Sequence, residues 1–149
     1  MLCWVLNVWI EYLSDLAVKN EVNLEFEASV GGGIPILRTI KEGLATNKIH
    51  KVYGILNGTC NYILSEMENT GSSFKNALRK AQDLGYAEPG NPKLDLNGYD
   101  TLAKVKILSA LAFNKKISKL NCMMEGIENI ESKDFDMADQ LIFELNFLV

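Results

Sequence analysis

The sequence predicts an α+β domain, a mixed β-sheet with helices packed on one face. Two observations carry that prediction. Three segments, "VNLEFEASV" (22–30), "KIHKVYGIL" (48–56) and "KISKLNCMMEGI" (116–127), read as strands, the first alternating Val22, Leu24, Phe26 and Ala28 with Asn23, Glu25, Glu27 and Ser29. Helix-like stretches fall between them, and strand–helix pairs of this kind bury their apolar faces by layering helices on a sheet. No repeat or Pro/Gly-rich linker divides the 149 residues, and 48% hydrophobic with 23% charged residues is ordinary for a globular domain with a real core.

The elements follow in order. "MLCWVLNVWIEYL" is apolar but too short to span a bilayer and has neither a basic leader nor a cleavage site, so it is read as a core-facing helical start, with residues 8–20 helical and no membrane role. "GGG" at 31–33 breaks the first strand, and Pro35 suits the first turn of a helix to about residue 46. After the second strand, Asn57-Gly58-Thr59 turns the chain into a helix through about Asn69, with Thr59 as its N-cap. Ser73 opens "FKNALRKAQDL", which Gly85 closes. Residues 86–95, with two prolines and a glycine, form a loop, and the longest helix spans roughly 97–113, with Asp95 able to cap it. Ser132 caps a last helix, "SKDFDMADQLIF".

Composition excludes several classes of function. A net charge of −4 leaves no broad basic surface, which argues against nucleic acid as a partner. Cys3, Cys60 and Cys122 are odd in number and unpaired in spacing, which suits free thiols in the cytoplasm. His50 is the single histidine, so there is no Ser-His-Asp or Cys-His machinery, and neither GxGxxG nor GxxxxGK[ST] occurs for a nucleotide.

Within the 97–113 helix, Asp100 and Lys104 share a stripe with Ile107, Leu108 and Leu111, while Lys106 and Ser109 face away. The Lys104 ammonium is thus carried onto an apolar stripe and needs a partner, which Asp100 can supply one turn away. An ammonium held between desolvation and a carboxylate is suited to exchange a proton with a substrate. The same i,i+4 pair is also an ordinary structural device worth a few tenths of a kcal/mol. Glu88, in the Pro-rich loop, could recognise a substrate ammonium, or could be a plain solvated loop residue. "VGGGIPI" (30–36) reads as a tight turn whose carbonyls, with Glu27 nearby, suit a hard cation better than a phosphate.

The pieces "FEASVGGGIPI", "GILNGTCNYIL", "AQDLGYAEPGNPKLDLNGYDTLAKVKIL" and "ALAFNKKI" together resemble the substrate-binding and catalytic domain of homoserine dehydrogenase, from about residue 11 to about residue 141. The resemblance implies NADH- or NADPH-dependent interconversion of aspartate 4-semialdehyde and homoserine, on the route to threonine and methionine. It implies that Lys104 is the proton donor and acceptor, that Asp100 contacts the reacting oxygen, and that Glu88 binds the substrate amino group. Gly58 and Thr59 would line the pocket. Glu27, with the carbonyls of Val30, Gly32 and Ile34, would hold a monovalent cation, Na+ or K+. It also implies a homodimer formed through the sheet. Residues 1–10 do not resemble the family and are read as a divergent apolar segment, leaving 11–149 as the catalytic domain. The family's NAD(P)-binding Rossmann domain has no counterpart here, and "FELNFLV" departs from the family's continuation. The expectation is therefore a fragment that does not turn over substrate alone, unless a separate nucleotide-binding chain completes it; the alternative is a non-catalytic remnant acting as a dimerisation or binding module.

Overall fold

The computed structural model describes the backbone of residues 2–141 and the side chains of residues 9–141. The apolar start at 1–8 therefore lies outside the described side chains, and the "FELNFLV" end and the last residues of the final predicted helix lie outside the described residues. Seven helices are formed among the described residues: α1 (Leu2–Lys19), α2 (Ile36–Arg38), α3 (Gly58–Thr70), α4 (Phe74–Asp83), α5 (Lys93–Leu96), α6 (Tyr99–Phe113) and α7 (Ser132–Gln140). Single 3-10 turns occur at Glu27–Ser29 and Ile117–Lys119, and α2 widens into a π-helical turn at Thr39–Gly43.

No strand is present among the described residues, which corrects the predicted α+β class: there is no mixed sheet for helices to cover. The physical reason is visible in residues 51–56, where burial does alternate from residue to residue in an irregular, non-helical stretch. Alternation reports that one side of a segment faces a core. A strand additionally needs a ladder of backbone bonds to a neighbour, and this segment has none. Residues 22–26 are likewise irregular and then coil into the 3-10 turn, where the Ser29 hydroxyl donates to the Phe26 carbonyl at 2.6 Å. The expected dimerisation through a sheet loses its basis among the described residues with the sheet itself.

The described residues group into two compact units. The first comprises residues up to Leu56 together with Asp100–Met123. Its core is Ile10, Val30, Leu37, Ile40, Ala103, Ile107, Leu108 and Ile117, all buried. Of the α6 contribution, Ile107 and Leu108 come from the stripe expected from the sequence, while Ala103, one turn before Ile107, was not part of it; each fully buried Ile or Leu is worth about 1.5–3 kcal/mol. Lys106 departs from expectation: it is half-buried, because α6 has no fully exposed residue between Thr101 and Leu111.

The second unit comprises Asn57–Tyr99 and the residues from Met124 onward. Cys60, Ile63, Leu64 and Met67 recur on α3 at the spacing of one helical face and pack with Ala77, Ala81, Ala87, Leu96, Ile127 and Phe135. Alanines at 77 and 81 let α4 approach α3 closely, and Lys80 of α4 reaches Glu66 of α3 at 2.8 Å. Capping differs from expectation at α3 and at α7. Asn57, not Thr59, caps α3, its side-chain oxygen accepting from the Cys60 N–H at 2.9 Å. At α7 the cap is Glu131, in a reciprocal capping box with Asp134, while the Ser132 hydroxyl donates to the Ser72 carbonyl at 2.9 Å. Gly85 ends α4 as expected: at φ +81° it lets its own N–H reach the Gln82 carbonyl and the Tyr86 N–H reach that of Ala81, at 3.1 and 2.8 Å.

Candidate active site

Lys104 sits in the second turn of α6, and its Nζ lies 2.6 Å from an oxygen of Asp100, one turn earlier on the same helix. The helix spacing alone produces this encounter. Burial changes its meaning, because the two side chains are only 19% and 20% exposed. A second contact fixes the ammonium from outside the helix, where Nζ donates to the Leu56 carbonyl at 3.0 Å. Leu56 lies in the irregular segment that precedes α3, next to the Asn57 cap, and its carbonyl is available to accept because no ladder consumes it. An ammonium has three N–H donors, so these two bonds leave one to offer a substrate oxygen.

Next to Asp100, the Thr101 hydroxyl is buried and makes no hydrogen bond. Sequence reasoning passed over this residue, and also over Leu56, since a carbonyl supplied by a segment 48 residues away leaves no mark on side-chain spacing.

Gly58, Thr59 and Glu88 belong to the second unit. Gly58 opens α3, exposed, with open space where a Cβ would stand. Thr59 does not cap the helix; its hydroxyl donates to the Tyr86 carbonyl at 2.6 Å, tying the start of α3 to the loop that carries Glu88. Tyr86 is held again by ring stacking on Tyr62, with centroids 4.4 Å apart. The Glu88 side chain is exposed. Asn57 ties in a further segment, its side-chain amide donating to Asp95 at 2.8 Å. Asp95 therefore sits inside α5 as a partner of Asn57, whereas the sequence suggested it as a helix cap. An asparagine before Gly-Thr was the signal for the true cap, because Asn ranks with the strongest N-cap residues.

Glu27 lies in the first unit, at the start of the 3-10 turn. Its two oxygens accept from the Leu37 and Arg38 N–H groups, each at 2.8 Å, and so hold the open end of α2. Between these anchors the chain runs through Val30 to Ile34, with Gly31 at φ +65° and Gly33 at φ +80°, a conformation that favours glycine. The Ile34 carbonyl accepts from the Ile36 N–H at 2.8 Å. One carboxylate and three backbone carbonyls form a hard-oxygen donor set, and each Glu27 oxygen keeps a lone pair beyond its N–H bond, so the residue types fit a monovalent cation. Among the described residues no group of three or more His, Cys, Asp or Glu side chains is placed to hold a metal ion. No helix among them is long and apolar enough to cross a membrane.

Comparison with known proteins places the fold and the sequence of this chain among the homoserine dehydrogenases. The fold superposes on a homoserine dehydrogenase from Thiobacillus denitrificans with a TM-score of 0.90 and 38% identity, over 96% of this chain and 33% of that one. A hyperthermophilic archaeal homoserine dehydrogenase mutant, solved in complex with NADPH, matches with a TM-score of 0.76 and 26% identity over 85% of this chain and 39% of that one. In sequence, the homoserine dehydrogenase of Neisseria gonorrhoeae is 46% identical over 133 residues, 89% of this chain and 30% of that protein. That of Helicobacter pylori is 47% identical over 123 residues, 83% of this chain and 29% of that protein. The family model for homoserine dehydrogenase matches residues 35–148. The chain belongs to the homoserine dehydrogenase family, a family of oxidoreductases. It spans about 30% of the length of the curated relatives it matches.

Proposed function

We propose that this chain forms the substrate-handling part of a homoserine dehydrogenase and takes part in the NAD(P)H-dependent interconversion of aspartate 4-semialdehyde and homoserine. A nicotinamide, when bound, supplies or accepts the hydride. This chain's residues then have to handle one proton and orient a small zwitterion.

Lys104 carries the proton. In reduction, the N–H not used by Asp100 or Leu56 faces the carbonyl oxygen and passes its proton to the forming alkoxide; in oxidation the neutral amine takes the hydroxyl proton back. Asp100 orients Nζ, and it would share the reacting hydroxyl. Glu88 pairs with the substrate ammonium, and the turn at Gly58 and Thr59 admits the substrate where a Cβ would have stood. Glu27, with the Val30, Gly32 and Ile34 carbonyls, would hold a monovalent cation, which screens the carboxylate and stiffens the glycine turn.

The observation that supports this reading most is the Lys104 ammonium itself, four-fifths buried, fixed by Asp100 and by Leu56, with a donor to spare. It is tested by thermal unfolding with homoserine. Ligand at about 100 times its Kd stabilises by about 2.7 kcal/mol, a rise of roughly 5–11 °C for a chain of this size. Glu88→Ala is expected to abolish the rise, and a rise that survives the substitution removes Glu88 from substrate binding.

A further inference from the structure

The loop that carries Glu88 is fixed from several directions, and one of the side chains that fix it, Gln82, has no role in the family resemblance or in the site described above. On one side of Glu88, Tyr86 is held by the Thr59 hydroxyl and by stacking on Tyr62, and Ala87 is buried with its N–H on the Ala81 carbonyl at 3.2 Å. On the other side the chain continues Pro89-Gly90, where proline fixes its own φ and glycine leaves its own free. One residue spans that weak point. Gln82, in the last turn of α4, directs its side-chain Nε2 to the Glu88 carbonyl at 3.0 Å and to the Gly90 carbonyl at 3.5 Å. Both neighbours are acceptors, so the amide presents its NH2 end, and a single group ties together the carbonyls on either side of Pro89.

We propose that Gln82 is a positioning residue for recognition of the substrate ammonium: by clamping the Glu88 and Gly90 carbonyls it holds the exposed Glu88 carboxylate in the orientation that receives the amine. The inference rests on the reading of Glu88 given above. Its physical content is preorganisation. A carboxylate on an unclamped Pro-Gly loop must be ordered when ligand arrives, and that cost is subtracted from affinity. It falls only on ligands that use the carboxylate.

The experiment compares homoserine with 4-hydroxybutyrate, the same molecule without its amine, by titration calorimetry on the full chain and its Gln82→Met, Gln82→Glu and Glu88→Gln variants. The unsubstituted chain is expected to prefer homoserine. Gln82→Met, similar in shape but without the donor, should weaken homoserine about tenfold and leave 4-hydroxybutyrate unchanged. Gln82→Glu puts a carboxylate against two carbonyls and should weaken homoserine at least as much, whereas an added negative charge acting only through space would tighten it. A melting temperature within a few degrees of the parent shows the fold kept, and if Gln82→Met does not fold, Gln82→Glu decides alone. Equal weakening of both ligands would make Gln82 merely structural and overturn the proposal. An unchanged preference in the Gln82 variants, with preference lost in Glu88→Gln, would overturn it while leaving the Glu88 reading intact. Preference that survives Glu88→Gln, or no preference in the unsubstituted chain, would remove the Glu88 reading and this inference with it.

Discussion

Breaking the Lys104–Asp100 pair measures how far the candidate site is withdrawn from water. A solvated i,i+4 pair couples by about 0.3–0.5 kcal/mol, because water screens the charges and the side chains pay entropy to meet. Here the N···O distance is 2.6 Å and each side chain is about four-fifths buried. A hydrogen bond to a charged group contributes about 1.5–3 kcal/mol where water competes poorly, so discounting for the remaining exposure gives an expected coupling of about 1–2 kcal/mol. The double-mutant cycle uses Lys104→Met and Asp100→Asn, each keeping volume while removing charge. Lys104→Met alone should cost more than the coupling, because the Leu56 carbonyl loses its donor too. That extra loss occurs with and without Asp100, so it cancels in the cycle. Urea unfolding gives the four stabilities, with constant slope as the check that the unfolded state is unchanged. A coupling at or below about 0.3 kcal/mol would show a solvated pair and refute the claim that the ammonium is withdrawn from water.

Two further predictions test the frame around the site. Gly126→Ala would place a methyl 2.4 Å from the Leu96 carbonyl oxygen and 2.7 Å from the Asn97 Cα, both rigid backbone, so it should cost about 3 kcal/mol or more, read as a fall in the urea midpoint. Glu11 accepts the Ser118 N–H at 2.7 Å, and this bond holds its carboxyl below the ordinary carboxylate range. A folded-state value below the unfolded one means the contribution is present above the ordinary carboxylate pKa and disappears as pH falls through the folded value. Glu11→Gln should therefore flatten the acidic limb of the melting temperature against pH, and an unchanged limb would show that the bond does not persist in solution.

Much of the helical framework was legible because its signals are local. The spacing of Cys60, Ile63, Leu64 and Met67 and the glycine at 85 place α3 and α4 within a residue or two of where they lie. Gly98, at φ +84°, interrupts what the sequence suggested as one helix from 97, so α6 starts at Tyr99. The sheet was misread because alternation encodes which side of a segment is buried, and residues 51–56 satisfy it without a neighbouring strand. At the site, Asp100 and Lys104 could be paired from helical geometry. The Leu56 carbonyl and the Gln82 clamp could not, since both depend on backbone brought in by the fold.

The exposed Glu88 and the two-point clamp on Lys104 also divide the labour of the proposed reaction. Under that proposal one carboxylate would meet the ligand where solvent still reaches it, and the largely buried ammonium would exchange its proton with substrate. Substitutions at the two positions should therefore fail differently, the first in binding and the second in turnover.

The most direct measurement is single-turnover hydride transfer with aspartate 4-semialdehyde, after this chain is joined to a nicotinamide-binding domain, comparing the parent with Lys104→Ala. If Lys104 is the acid, the rate falls by roughly a hundredfold to ten-thousandfold, the usual contribution of a positioned acid, with homoserine affinity within a few-fold of the parent. Turnover retained in Lys104→Ala at the parental rate would contradict that role.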